Sequence, residues 1–407
     1  MRACEIAVST RPEPPKVLIA GAGIGGLVAA LAMVQRGIDV ELFEQASELR
    51  ELGAGVQLSA NGTRVLIALG LEQEMQDIAC EPSGKQIRLF STGRTWKLFD
   101  LGASSRATYG APYWMVHRGD FHRVLLDAFN ARAPGRVHLD SRCVGFDEDG
   151  DAIWLRLENG QRHHGDVVVG ADGVHSEIRR QIGGDSKPFF AGVAAWRGLV
   201  PMERLPSWMQ RDVGTNWVGP GGHVITYPLR RGELLNFVGI FEGESWPVES
   251  WTERGTREDC SRSFAGWNEE IHAIIENLDV PYKWALLGRD PLDHFVRRRA
   301  CLIGDAAHPT LPFLAQGANM AIEDGMVLAR CLERFEPEEA LQRYEWARLA
   351  RTNSIVVKSA ENAKRFHNPA LADAEGANDY VSREWQPERV RERYNWLFEY
   401  DALEVSV

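Results

Sequence analysis

The 407-residue sequence lacks the features that mark several large protein classes. No apolar run approaches the roughly 20 residues that span a bilayer; the longest useful one is LVAALAMV at 27–34. The first residues, MRACEIAVSTRPEPP, have no apolar core of the kind a secretory leader carries. The cysteines, at 4, 80, 143, 260, 301 and 331, form no C-x-x-C pair and have no histidine at zinc-ligand spacing. That argues against a disulfide framework or a metal site, and for reduced thiols in a cytoplasmic protein. Positive charge is in deficit: 46 Lys and Arg face 57 Asp and Glu, a net charge of −11, so neither nucleic acid nor a membrane surface is an expected partner. There is no internal repeat and no low-complexity linker. The length calls for two domains or three.

What is present begins with KVLIAGAGIGGLVAALAMVQRGIDVELFEQ (16–45), which reads as strand, glycine turn, helix and strand, the helix closing at Gly37. Such a βαβ unit implies a parallel sheet. The stretch KQIRLFSTGRTWKLFD alternates around a Thr-Gly turn and predicts a hairpin. Helical periodicity returns at 118–133, strands dominate 186–243, and 257–279 reads as helical. After the short strand ACLI come helices, including a long amphipathic one over 337–366 and a last one over 387–401. The expected fold is α/β: a Rossmann-like dinucleotide domain (1–85, 112–185 and 291–335) interrupted by a β-rich substrate domain (86–111 and 186–290), then C-terminal helices (336–407) that could supply a homodimer interface.

Gly21, Gly23 and Gly26 stand at G-x-G-x-x-G spacing directly after a strand, with Ile24 and Gly25 between them. The first glycine permits the tight turn, the second lets a pyrophosphate reach the backbone, and the third lets helix and strand close together. Glu44, followed by Gln45, ends the second strand where a ribose diol would sit. No second Rossmann unit is visible. Two further strands end in a Gly-Asp or Asp-Gly pair, Asp172-Gly173 and Gly304-Asp305, and Arg118 opens a helix. The segment GDAAHPTLPFLAQGANMAIEDG (304–325) puts Gly317, Ala318 and Asn319 at a helix start, where small residues leave room for something close to backbone.

Together these motifs resemble the single-component flavoprotein aromatic hydroxylases, of the para-hydroxybenzoate hydroxylase fold, over nearly the whole chain. The resemblance implies bound FAD. Asp305 would hold its ribitol, Arg118 and Asp172 would lie on the dinucleotide path, and Gly317, Ala318 and Asn319 would lie against the isoalloxazine, where the helix dipole favours negative charge. It also implies NADH or NADPH as reductant and dioxygen as the oxygen source. The similarity is greatest to salicylate hydroxylase, 3-hydroxybenzoate 6-hydroxylase and 6-hydroxynicotinate 3-monooxygenase, through AAWRGLVP, HVITYPLRRGELLNFVGIFE and LLGRDPL. The implied activity is hydroxylation of a phenolic aromatic acid, salicylate-hydroxylase-like, with the other two as alternatives.

On a strand, His223, Ile225 and Tyr227 share one face, which offers a base, an apolar contact and a phenol. They and the flavin-side pair Pro312 and Phe313 are the candidate substrate residues, with His223 and Tyr227 as the catalytic pair. His308 is expected to be structural, and His163-His164 a solvated strand end. A flavin-free NAD-dependent dehydrogenase is the alternative from another class, but it leaves Asp172 and Gly304-Asp305 without a task. A flavin halogenase would carry W-x-W-x-I-P, which is absent.

Overall fold

The computed structural model describes residues 14–49, 55–183, 187–243 and 253–407. Expectations that fall on Cys4 and the rest of the stretch up to residue 13, and the parts of the expected domains at 50–54, 184–186 and 244–252, lie outside these residues. The continuous apolar strands predict burial on both faces. Accordingly Lys16–Ala20 is central in a six-stranded sheet ordered Val296–Arg297, Ala300–Leu302, Val167–Gly170, Lys16–Ala20, Asp39–Phe43, Val137–His138. All its neighbours run parallel except the edge strand Val296–Arg297. The first helix, Ile24–Val34, packs on this sheet and against the helix Gly317–Arg334 through small residues. A Cβ built on Gly325 would lie 2.7 Å from the Ala29 nitrogen, and one on Gly25 would lie 3.3 Å from the Ala321 Cβ. Only glycine permits so close a helix contact.

The second large sheet has eight strands: Glu253–Arg254, Tyr282–Gly288, Phe189–Pro201, Leu234–Glu242, Gly222–Leu229, Val213–Gly219, Gly84–Leu89, Thr95–Asp100. Its pairings are antiparallel apart from Val213–Gly219 with Gly84–Leu89. The expected hairpin is present, turning near Thr92-Gly93. Residues 257–279 form two helices rather than one, Arg257–Ser263 and Glu269–Glu276, because Asn268 caps the second through the Glu270 N–H. A helix at Ala374–Glu384, capped by Asp373, was not anticipated, and the last helix stops at Phe398. The long helix spans Pro337–Phe366 as its periodicity indicates. His163 is not a solvated strand end, because its ring packs on Phe43 at 4.5 Å; His164 is exposed. All described cysteines are buried free thiols. No helix among the described residues is long and apolar enough to cross a membrane.

Candidate active site

The candidate residues gather in two regions, and the helix Gly317–Arg334, which starts in the second, packs against the helix that follows the glycine turn of the first. The first is a cleft of about 370 Å³ lined by Gly21, Gly23, Glu44, Gln45, Asp172, Gly173 and two arginines, Arg142 and Arg180, that the sequence reading did not single out. The glycines divide their tasks as steric reasoning demands. Gly21 has φ +104°, and a Cβ there would sit 2.4 Å from the Ala171 carbonyl oxygen. A Cβ on Gly26 would lie 2.1 Å from the Gly21 oxygen. At Gly23 a Cβ would meet no protein atom within 4 Å, so that position opens onto the cleft. Ile24 is buried, so only its backbone is offered to a ligand.

Glu44 braces the turn from the adjacent strand. One carboxylate oxygen accepts from the Ala22 N–H at 2.9 Å and the other from the Ala46 N–H at 2.9 Å. Each oxygen keeps a lone pair for a diol. His122, not foreseen, sits 2.7 Å from the Ala22 carbonyl and steadies the same loop. Asp172 caps the helix Glu177–Gly183 by accepting from the Glu177 N–H at 2.8 Å, and its second oxygen is buried without a partner. Burial pushes its carboxyl upward. Arg118 is exposed at the start of its helix, and the exposed Asp305 carboxylate follows Gly304, whose φ is +57°.

The second region surrounds the start of the helix Gly317–Arg334. The Met320 N–H makes the first helical bond, to the Gln316 carbonyl at 2.8 Å. The N–H groups of Gly317, Ala318 and Asn319 are therefore the unsatisfied donors of a helix N-terminus. The Asn319 side chain is not available to a ligand: it donates to the Gln57 carbonyl at 3.1 Å and accepts from the Ser59 N–H at 3.1 Å, clamping 57–59 to the helix. Beneath lies a buried charge network. Arg348, fully buried, pairs with Glu323 at 2.7 Å and Asp324 at 2.8 Å, and His308 meets Asp324 at 2.6 Å. His308 is thus structural, as expected. Burial alone would raise the Asp324 carboxyl, but His308 and Arg348 bring it down to about 2.

Facing this helix start is the strand Gly222–Leu229. His223 is fully buried and its ring lies 5.4 Å from that of Phe313. Its Nδ1 is 2.7 Å from His367 Nε2, and its own Nε2 is buried without a partner. Burial, then the neighbouring His367, hold its pKa well below the usual imidazole range. Ile225 is half-buried between the buried His223 and Tyr227. Tyr227 packs its ring where a Cβ on Gly55 would come within 2.5 Å, and burial raises its phenol. Phe313 is buried, while Pro312 is exposed at the rim.

Register adds one residue that motif reasoning missed. Lys85 pairs across to Gly214, and Gly214 precedes the Thr215–Thr226 pair, so Lys85 and Tyr227 occupy one row on one face of the sheet. Gly214 between them carries no side chain, and the Met115 methyl packs there, 2.8 Å from where a Cβ would sit. The Lys85 ammonium lies 5.0 Å from the centre of the Tyr113 ring, and the Tyr113 hydroxyl donates to Gln57 at 2.8 Å. Burial pulls the Lys85 pKa down to about 7. By exposed surface the residue is nonetheless half-buried rather than fully enclosed. Four residues of strand separate Tyr227 from His223, about 13 Å, so an amine and an imidazole stand at two ends of one face.

The dinucleotide cradle, the open approach at Gly23, the orphan Asp172 oxygen and the free helix donors fit FAD. Residues 15–359 match the FAD binding domain family. The 3-amino-4-hydroxybenzoate 2-monooxygenase PtnB3 of Streptomyces platensis is 36% identical over 395 residues, 96% of this chain and 98% of that protein. The 3-hydroxybenzoate 6-hydroxylase of Polaromonas naphthalenivorans is 33% identical over 399 residues, covering 96% and 97%. Among solved structures, Klebsiella pneumoniae HpxO complexed with FAD and uric acid superposes with a TM-score of 0.82 at 26% identity, over 98% of this chain and 99% of that one. A salicylate hydroxylase substrate complex superposes at 0.79 and 25% identity, over 96% and 97%.

Proposed function

The chain belongs to the FAD-dependent aromatic monooxygenases of the FAD binding domain family, and from that membership we propose that it hydroxylates a phenolic aromatic acid at the expense of NADH or NADPH. Membership in a flavoprotein family replaces the dehydrogenase alternative. Bound FAD would supply the electrons that reduce dioxygen, and dioxygen the oxygen atom that reaches the ring. The protein's part is to bind, orient and move protons.

The glycine turn and the dipole of the helix Ile24–Val34 hold the pyrophosphate, Glu44 the adenosine ribose, and Asp305 the ribitol. Arg118 and Asp172 border that path. The donors of 317–319 meet the flavin ring and favour negative charge on it. Lys85 takes the acid's carboxylate, Ile225 and Phe313 sandwich the ring, and Tyr227 closes the side. The six-stranded sheet then serves the cofactor and the eight-stranded sheet the substrate.

One observation carries the reading: His223, whose burial disfavours the imidazolium, has a buried and unpartnered Nε2, and its ring lies beside that of Phe313 just before the helix Gly317–Arg334. A phenol placed there loses its proton to that nitrogen, and the resulting phenolate is the electron-rich ring that oxygen transfer needs. The test is oxygen uptake and NAD(P)H oxidation over a panel of 3-amino-4-hydroxybenzoate, 3-hydroxybenzoate, salicylate and 6-hydroxynicotinate, with products and carbon dioxide identified. One hydroxylated product per reductant consumed is expected for at least one phenolic acid. FAD-loaded protein that turns over none of them, or oxidises NAD(P)H with hydrogen peroxide as the sole product throughout, would refute it.

A further inference from the structure

His223 does not end at His367. The His367 Nδ1 lies 3.1 Å from the Glu242 carboxylate, and the Glu242 side chain is 60% exposed, whereas that of His367 is 3% exposed. The three residues come from distant parts of the chain: the strand Gly222–Leu229, the strand end at Glu242, and the residue that closes the helix Pro337–Phe366. Backbone bonds hold them in register, since the Glu242 N–H donates to the Gly221 carbonyl at 2.9 Å and the Gly221 N–H to the His367 carbonyl at 3.4 Å. Glu242 and His367 line a separate cleft of about 360 Å³ with Arg289, Lys364 and Leu311, and Phe313 forms the wall it shares with His223.

Donor and acceptor chemistry settles the direction of this chain. An ionised carboxylate only accepts, so His367 carries its proton on Nδ1 and its Nε2 is an acceptor. His223 must then donate from Nδ1. In a neutral ring that leaves Nε2 as a bare lone pair, and Nε2 is the atom that has no protein partner. A surface carboxylate thereby sets the tautomer of a buried base two residues away.

We propose that His223, His367 and Glu242 form a proton relay between the buried substrate phenol and the outer cleft, an inference that rests on His223 being the base. The phenol O–H breaks as His223 Nε2–H forms. The His223 Nδ1 proton passes to His367 Nε2, and the His367 Nδ1 proton passes to Glu242, which yields it to water or buffer. When the hydroxylated ring regains aromaticity, the same oxygen takes a proton back. The chain then runs in reverse and both rings return to their starting tautomers. A relay suits this setting because a buried imidazolium is costly: the proton is passed on rather than stored.

The test uses FAD-loaded enzyme mixed rapidly with whichever of 3-amino-4-hydroxybenzoate and 3-hydroxybenzoate is hydroxylated, in weakly buffered solution with a pH indicator. Glu242→Gln and His367→Gln keep hydrogen-bonding shape but cannot relay. Each should slow proton release and hydroxylation about tenfold or more, less than the roughly 10²–10⁴-fold expected from losing the base itself. FAD content and flavin reduction should be unchanged, and added imidazole should restore the rate of Glu242→Gln by entering the outer cleft. A Glu242→Gln enzyme at the wild-type rate in weak buffer, or one whose loss is indifferent to imidazole, overturns the relay. A wild-type rate in His223→Ala would instead overturn the base assignment beneath it.

Discussion

Replacing Gly23 and Gly26 one at a time by alanine separates cofactor binding from folding within a single turn. At Gly23 the backbone has φ −74° and ψ −175°, open to alanine, and a Cβ meets no protein atom within 4 Å. Two small effects on the apoprotein oppose each other. Restricting the unfolded chain stabilises by about 0.4–1 kcal/mol, while alanine is a poorer N-cap than glycine by about as much. Net stability should therefore move by less than about 1 kcal/mol. The new methyl occupies the approach of the pyrophosphate, so FAD should bind at least about tenfold more weakly, or about 1.4 kcal/mol. At Gly26 a Cβ would lie 2.1 Å from the Gly21 oxygen, well inside contact distance, and that atom belongs to backbone. Relief requires the helix to move off the sheet, costing about 1–3 kcal/mol or more, with FAD binding lost as well. Urea unfolding of both apoproteins followed by tryptophan fluorescence, with FAD titration by flavin fluorescence, reads both quantities. A Gly23→Ala protein that binds FAD as wild type does, or a Gly26→Ala apoprotein as stable as wild type, would refute the steric argument.

Arg348→Met removes the cation between two buried carboxylates, and apoprotein stability should fall by about 3–5 kcal/mol in urea. Adding Asp324→Asn should recover part of that, since one of the two carboxylates is then neutral and Glu323 keeps its pairing with Arg351; equal loss in the double variant would contradict the pairing. The Asp324 carboxyl is depressed to about 2 in the fold. Its contribution is therefore complete above the ordinary carboxylate value and fades as pH falls toward 2, about 2–3 kcal/mol in all. Unfolding midpoints between pH 5 and pH 2 should show that loss in wild type and not in Asp324→Asn. Lys85→Met should raise KM for the acid about tenfold or more with little change in kcat or FAD content, as expected where one charge-assisted contact of about 1.5–3 kcal/mol is lost. Because the Lys85 pKa is lowered to about 7, wild-type kcat/KM should decline above that pH as the ammonium loses its proton, and the Met variant should lack that limb. A KM indifferent to the substitution would remove Lys85 from the site.

The parts of the site that could be read from sequence are local. The glycine turn, Glu44 and the small residues at 317–319 each act within one strand–turn–helix unit, where spacing dictates geometry. Even there, the sequence did not tell that the Asn319 side chain clamps residues 57–59, because its partners lie about 260 positions away. Lys85 escaped for a related reason: its position beside Tyr227 depends on a parallel pairing between strands some 130 residues apart. A signal was available, since Lys85 alternates with Ile87 and Leu89 on the inward face of its strand, where a charge is out of place. His367 gave none. It follows a long helix as an ordinary polar cap, and only the packing of that helix end against the second sheet brings it to His223. The buried quartet of Glu323, Asp324, Arg348 and His308 reads in sequence as polar positions on amphipathic helices and a loop.

The most direct test of the central claim is a single-turnover comparison of wild type and His223→Ala, both loaded with FAD, reduced anaerobically with NADH or NADPH and then mixed with dioxygen and the phenolic acid. The variant should bind FAD and be reduced at close to the wild-type rate, yet form hydroxylated product about 10²–10⁴-fold more slowly, with hydrogen peroxide taking its place. Unchanged product formation and coupling in His223→Ala would show that the buried imidazole is structural and that the phenol is activated elsewhere.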